Sequence, residues 1–107
     1  MFLYLIRHGE AKTESEDPER GLTEKGGRHA LRMGEFLAFM GTRLDTIVHS
    51  PKKRAAETAR AIMESIRPAK GFHEEEGLAP NDDPGNWVTK INAMTGDTAI
   101  VGHLPFL

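Results

Sequence analysis

Four side chains in this sequence carry the chemistry needed to hold and transfer a phosphoryl group: Arg7, His8, Arg54 and His103. A guanidinium binds phosphate oxygens through paired, charge-assisted hydrogen bonds. An imidazole attacks phosphorus through one ring nitrogen while the other donates its proton to a fixed acceptor. Two fixed cations and two imidazoles in one crevice therefore suit a phosphoryl group. Each of the four follows a stretch that reads as a β-strand. Arg7 and His8 come straight after the apolar run 2–6, and Gly9 lets the backbone turn beside them. Arg54 follows Thr46-Ile47-Val48, and His103 follows Ala99-Ile100-Val101-Gly102. Open α/β sheets bind ligands just beyond the carboxyl ends of their strands.

The elements that must position these residues alternate along the chain. Residues 2–6 are apolar throughout, which fits a strand buried on both faces and is short for a helix. An acid-rich loop runs from Ala11 to Gly21. Thr23 caps a helix with Ala30, Met33, Leu37 and Met40 as its apolar face, ending at Gly41. A strand is predicted over 46–49. Ser50 as N-cap and Pro51 at the first helical position open a helix over 51–66. Its apolar face is Ala55, Ala59, Ile62 and Ile66, and Pro68 stops it. Arg54 lies in the first turn, where a cation opposes the helix dipole at a cost of up to about 1 kcal/mol. An anion bound at that N-terminus would resolve the conflict.

A short strand is predicted near Gly71–His73, then an acidic loop from Glu74 to Asp83. Pro84 or Gly85 starts a helix with Trp87, Ile91 and Met94 on one face, and a strand spans 98–102. Leu104 to Leu107 begins a helical turn that is not continued. An exposed Leu104-Phe106-Leu107 stub is a poor terminus, so the sequence reads as part of a longer one. The order predicts an α/β fold: a doubly wound, mostly parallel sheet with helices on both faces. One domain is expected over 1–107, incomplete at its C-terminal end.

These motifs resemble the histidine phosphatase superfamily, also called phosphoglycerate mutase-like. Arg7-His8-Gly9-Glu10 is similar to its opening motif, Ser50-Pro51-x-x-Arg54-Ala55-x-x-Thr58-Ala59 to its second, and Gly102-His103-x-Pro105 to its third. Leu22-Thr23-x-x-Gly26 is similar to the start of its first helix. Within the superfamily the short chain looks most like the SixA-type phosphohistidine phosphatases. The resemblance implies His8 as nucleophile, with Arg7, Arg54 and His103 stabilising the phosphoryl oxygens. It implies no metal and no cofactor. The implied partner is a phosphohistidine-containing protein, such as a phosphotransfer domain, or a small phosphate ester.

Leaving-group chemistry separates those substrates. An alkoxide leaves poorly and needs a general acid. In much of the family that acid is a Glu two residues after a Leu in the loop following the third strand. Here Leu78-Ala79-Pro80 carries a proline in that place. Glu74, Glu75, Glu76, Asp82 and Asp83 lie close enough in sequence to substitute. A phosphatase or mutase of small esters, and a non-catalytic phosphate-binding module, are the competing readings. Two retained imidazoles argue against the module.

The rest of the chain bounds these readings. A net charge of −2 over 107 residues carries no nucleic-acid or membrane signal. No apolar run approaches the roughly 18 residues of a membrane span. Together these lead to the expectation of a cytoplasmic protein. The chain has no cysteine, hence no thiol nucleophile or disulfide. Five histidines without a His-Glu-x-x-His pattern or clustered acids do not suggest a metal site. His29 and His73 read as surface residues, His49 as a strand end, and Lys52 and Lys53 as a solvated face. Thr13 and Ser15 read as loop residues.

Overall fold

The computed structural model describes residues 3–75 and 96–103. The elements are β1 (Leu3–Arg7), α1 (Glu24–Phe39), β2 (Thr46–His49), α2 (Lys53–Met63), β3 (Phe72–Glu74) and β4 (Thr98–Gly102). The four strands form one parallel sheet in the order β1-β4-β2-β3. The last of the described strands is thus inserted between the first two. Its residues are all buried, as its uninterrupted Ala-Ile-Val run demands of a central parallel strand.

Both faces of the sheet are apolar. Ile6, Ile47, Ala99 and Val101 point toward Ala55, Ala59, Ile62 and Ile66 of the α2 segment and form the main core with Leu44. Val48 and Ile100 alternate to the other face and are also buried. β1 departs from expectation. Among the described residues it is an edge strand, and Leu5 is 54% exposed. An apolar run alone does not distinguish a central strand from an edge.

The helices correct the expected faces and ends. Thr23 caps α1 as predicted, its side chain accepting from the Gly26 N–H. Gly41 follows the helix at φ +77°, the left-handed conformation expected of a terminating glycine. The buried face, however, is Gly26, Ala30 and Gly34, with Leu37 half-buried. Met33 and Met40 are exposed. α1 packs on α2 so closely that a Cβ on Gly34 would lie 2.9 Å from the Ile62 carbonyl oxygen. Small residues therefore define the contact, and the longer methionines turn outward.

α2 begins at Lys53, two residues beyond the expected start, with Lys52 as N-cap and no side-chain cap hydrogen bond. Ser50 does not cap it, because its hydroxyl is engaged elsewhere. The regular helix ends at Met63, although Ile66 still folds back into the core. α1 and α2 contact each other and so share one side of the sheet. The helix expected around Trp87, Ile91 and Met94 lies outside the described residues.

The Gly34 contact has a testable sign. In an exposed helix, Gly→Ala stabilises by about 1 kcal/mol. Here the added methyl meets backbone that has no rotamer to change. Gly34→Ala should destabilise the chain by about 1–3 kcal/mol, the range for overpacking. A urea midpoint that rises in the variant would contradict this packing.

Candidate active site

The site grows out of the last hydrogen bonds of the parallel ladder. Beyond β1, the His8 N–H donates to the Gly102 carbonyl at 3.0 Å. Beyond β2, the Ser50 N–H donates to the Val101 carbonyl at 3.1 Å. The carboxyl ends of β1, β4 and β2 therefore finish at one level. His8 and His103 meet there, their ring centroids 4.9 Å apart and their planes tilted by 59°.

The His8 ring is oriented by its own turn. Its Nδ1 lies 2.7 Å from the Gly9 carbonyl oxygen. A carbonyl only accepts, so Nδ1 carries the proton and Nε2 keeps its lone pair. The turn is held in place by α2: the Gly9 N–H donates to the Thr58 hydroxyl at 3.0 Å, and that hydroxyl donates to the Arg54 carbonyl at 2.7 Å. Thr58 thereby couples the backbone beside His8 to the first turn of α2, which carries Arg54.

Burial holds the His8 pKa below its ordinary 6.5, and the charges of Arg54, Arg7 and Arg20 push it the same way, while the Gly9 carbonyl opposes them. His103 is 1% exposed. Burial, followed by the charges of Arg54, His8 and Lys52, lowers its pKa to about 4. Both imidazoles are consequently neutral near pH 7. His103 Nε2 is 2.8 Å from the Ser50 hydroxyl, and its Nδ1 is buried with no hydrogen-bond partner among the described residues.

The cations surround this pair. Arg7 is exposed and lines a cleft of about 400 Å³ with His8, Gly9, Glu10, Ala11 and Arg20. Arg54 and Lys52 line an adjoining groove of about 530 Å³, in which Arg20 also takes part. Burial lowers the Arg54 pKa, and the neighbouring charge of Arg20 adds to the effect. A larger cavity, about 660 Å³, lies between α1 and α2 around Leu22, Leu31 and Ala61, and none of the four expected site residues lines it.

The structure thus gathers His8 with His103, and Arg7 and Arg54 around them. It adds Arg20, which sequence reasoning passed over among many arginines. Arg20 stands at φ +52°, a left-handed conformation rare for a residue with a Cβ. The loop enforces it. Asp17 accepts from the Glu19 and Gly21 N–H groups, the Arg20 N–H donates to the Asp17 carbonyl, and the Arg20 Nε donates to the Lys12 carbonyl. Lys53 holds this loop against α2 through Asp17 at 3.5 Å and Glu19 at 3.6 Å. Lys53 is therefore paired rather than merely solvated.

Other histidines fall where expected: His29 and His73 are exposed, and His49 closes β2. His49 is nevertheless buried, with Nδ1 2.9 Å from the Ser50 carbonyl and its ring 5.5 Å from that of Phe72. Thr13 and Ser15 belong to an exposed turn closed by Glu16. Glu76, Asp82, Asp83 and Pro80 lie outside the described residues. Among the described residues, no group of three or more His, Cys, Asp or Glu is placed to hold a metal, and no helix is long and apolar enough to cross a membrane.

A mostly parallel α/β sheet with an Arg-His-Gly turn after its first strand and a histidine after its last defines a known class. Residues 3–87 match the family profile of the histidine phosphatase superfamily, branch 1, and the chain belongs to that superfamily. The fold is similar to that of the protein histidine phosphatase SixA solved with tungstate, with a TM-score of 0.91 at 22% identity over 99% of this chain and 71% of that one. A candidate phosphohistidine phosphatase SixA from Agrobacterium tumefaciens is 26% identical over 97% of this chain and 70% of that one, with a TM-score of 0.82. The mitochondrial serine/threonine-protein phosphatase Pgam5 of Drosophila ananassae is 30% identical over 91% of this chain, which spans only 36% of that relative.

The lowered imidazole pKa values set an acid dependence. As pH falls below about 6.5, an unfolded chain takes up protons that the folded one refuses. The stability associated with neutral imidazoles is complete above that pH and is lost as pH falls toward about 4. Urea midpoints should therefore drop across this window, and drop less steeply in His103→Asn. Identical slopes for the two chains would show that His103 is not held neutral.

Proposed function

We propose that the protein is a metal-independent phosphatase that works through a phosphohistidine intermediate on His8, with a phosphohistidine-bearing protein as its substrate. The observation that carries the reading is the His8 tautomer. Nδ1–H is committed to the Gly9 carbonyl, so the lone pair on Nε2 is available for in-line attack. The P–Nε2 bond forms as the bond to the leaving group breaks. Water then attacks phosphorus, the P–Nε2 bond breaks, and orthophosphate departs.

Arg7, Arg54 and Arg20 supply fixed positive charge to the phosphoryl oxygens, and His103 supplies a neutral donor. Such preorganised donors supply much of the catalysis in phosphoryl transfer. That charge stands in for a cation, so the scheme routes no step through a metal. Membership of the superfamily supports the phosphatase chemistry. The similarity to the Agrobacterium candidate phosphohistidine phosphatase supports the phosphohistidine substrate.

Pro80 supports the same substrate from a different direction. A protonated imidazole leaves phosphorus readily, whereas an alkoxide needs the acid that Pro80 replaces. A Ser/Thr phosphate ester is the second reading, favoured by the similarity to Pgam5. The two separate on kcat/KM for a phosphohistidine protein against an unactivated alkyl phosphate. General acid catalysis is typically worth about 10²–10⁴-fold, and the preference for phosphohistidine should be of that order. Comparable values would favour the ester. Loss of ester activity in a Glu74→Gln or Asp82→Asn variant would then identify the acid.

His8→Ala should abolish turnover while leaving the fold intact, because water does not replace a covalent nucleophile. Labelled substrate should leave an acid-labile, base-stable label on the wild-type chain and none on the variant. Undiminished turnover in His8→Ala would remove His8 from its role.

A further inference from the structure

The second motif begins with Ser50, whose hydroxyl fits neither a cap nor a surface group. The residue is fully buried, 0% exposed, at the end of β2. Its Oγ lies 2.8 Å from His103 Nε2 and receives the Lys52 N–H at 3.3 Å. A hydroxyl has one proton and two lone pairs. With one lone pair facing Lys52 N–H, two arrangements toward His103 remain.

If Nε2 carried the proton, it would donate to Oγ. The Ser50 hydroxyl proton would then need another acceptor, and the described residues offer none. His103 Nδ1 would also be a bare, buried lone pair, repelling any anion in the site. If the Ser50 hydroxyl donates to Nε2 instead, every Ser50 group is satisfied. Among the described residues, the polar atom of this pair then left without a partner is Nδ1–H, and that is the atom buried without one there. Buried polar groups are overwhelmingly paired, so an unpaired donor beside Arg54, Lys52 and a second imidazole is suited to a ligand oxygen.

We propose that Ser50 is a positioning residue that locks neutral His103 in its Nδ1–H tautomer, making Nδ1–H the donor to a phosphoryl oxygen. This rests on the reading of the site as a phosphoryl-transfer centre, and it adds how the second imidazole is kept as a donor. The two imidazoles are thus both protonated at Nδ1, one set by an acceptor and the other by a donor. His8 gives its Nδ1 proton to a backbone carbonyl and exposes a lone pair. His103 gives its Nε2 lone pair to a hydroxyl and keeps a proton to offer.

Long-range 15N–1H correlation spectra of the full chain at neutral pH read the tautomer directly. The wild-type His103 signals should show protonated Nδ1 and unprotonated Nε2. An Nε2–H tautomer would overturn the proposal whatever the activity. Ser50→Ala should shift His103 toward the Nε2–H form and lower kcat by roughly 10–100-fold, the loss typical when a metal-bound imidazole loses its orienting partner, with little change in KM. Ser50→Thr, which keeps the hydroxyl, should retain the wild-type tautomer and most of kcat. Wild-type kcat in Ser50→Ala would also overturn it. Should Ser50→Ala fail to fold, the wild-type and Ser50→Thr spectra still decide. An intact Nδ1–H tautomer together with an active His8→Ala chain would sink the proposed function and leave the Ser50 arrangement standing.

Discussion

The buried ladder of β4 is the constraint on which the rest depends. A central parallel strand has no water to satisfy its N–H and C=O groups, so it must pair on both sides. That requirement sets Arg7 opposite Gly102 and His49 opposite Val101. The residues that follow three separate strands therefore arrive side by side. Side chains alternate with a period of two, so slipping one strand by a single residue would turn its apolar row from one face to the other. The burial of Ile47, Ala99 and Val101 forbids that slip, and the same burial keeps His8 and His103 in register.

α2 then fixes what the sheet only brings near. Its first turn carries Arg54, the Arg54 carbonyl receives the Thr58 hydroxyl, and Thr58 receives the Gly9 N–H. Glu57, on the same helix, receives the Leu22 N–H at 2.7 Å and so anchors the end of the loop that presents Arg20. One helix braces the turn beside His8, an arginine and the loop holding another arginine. Its own tight contact with α1, across Gly34, limits how far it can shift.

Much of this was legible in the residues. Short β-branched and apolar runs marked the strands, and their carboxyl ends marked His8 and His103 just beyond β1 and β4, Arg7 closing β1, and Arg54 in the first turn of the helix after β2. Thr23 and Gly41 bounded α1 because caps are local chemistry. What the sequence concealed depended on distant partners. Ser50-Pro51 has the local look of a helix start, yet Ser50 is claimed by a histidine 53 positions away. Met33 and Met40 fit the apolar period, but the small residues one step around the helix allow the closer approach. Arg20 gains its place only through a loop conformation that Asp17, Lys12 and Lys53 impose together, and no spacing rule reports that.

Two neutral imidazoles enclosed by arginines make the site a proton-coupled receptor. In the empty site the guanidinium charges and burial drive protons off His8 and His103. An anion entering such a site would offset the field of the guanidinium groups and raise the proton affinity of each ring. Anion binding in mildly acid solution would then be accompanied by proton uptake, and protonation and binding would favour one another. The arrangement that keeps both rings neutral near pH 7 thus ties the site's affinity for an anion to pH.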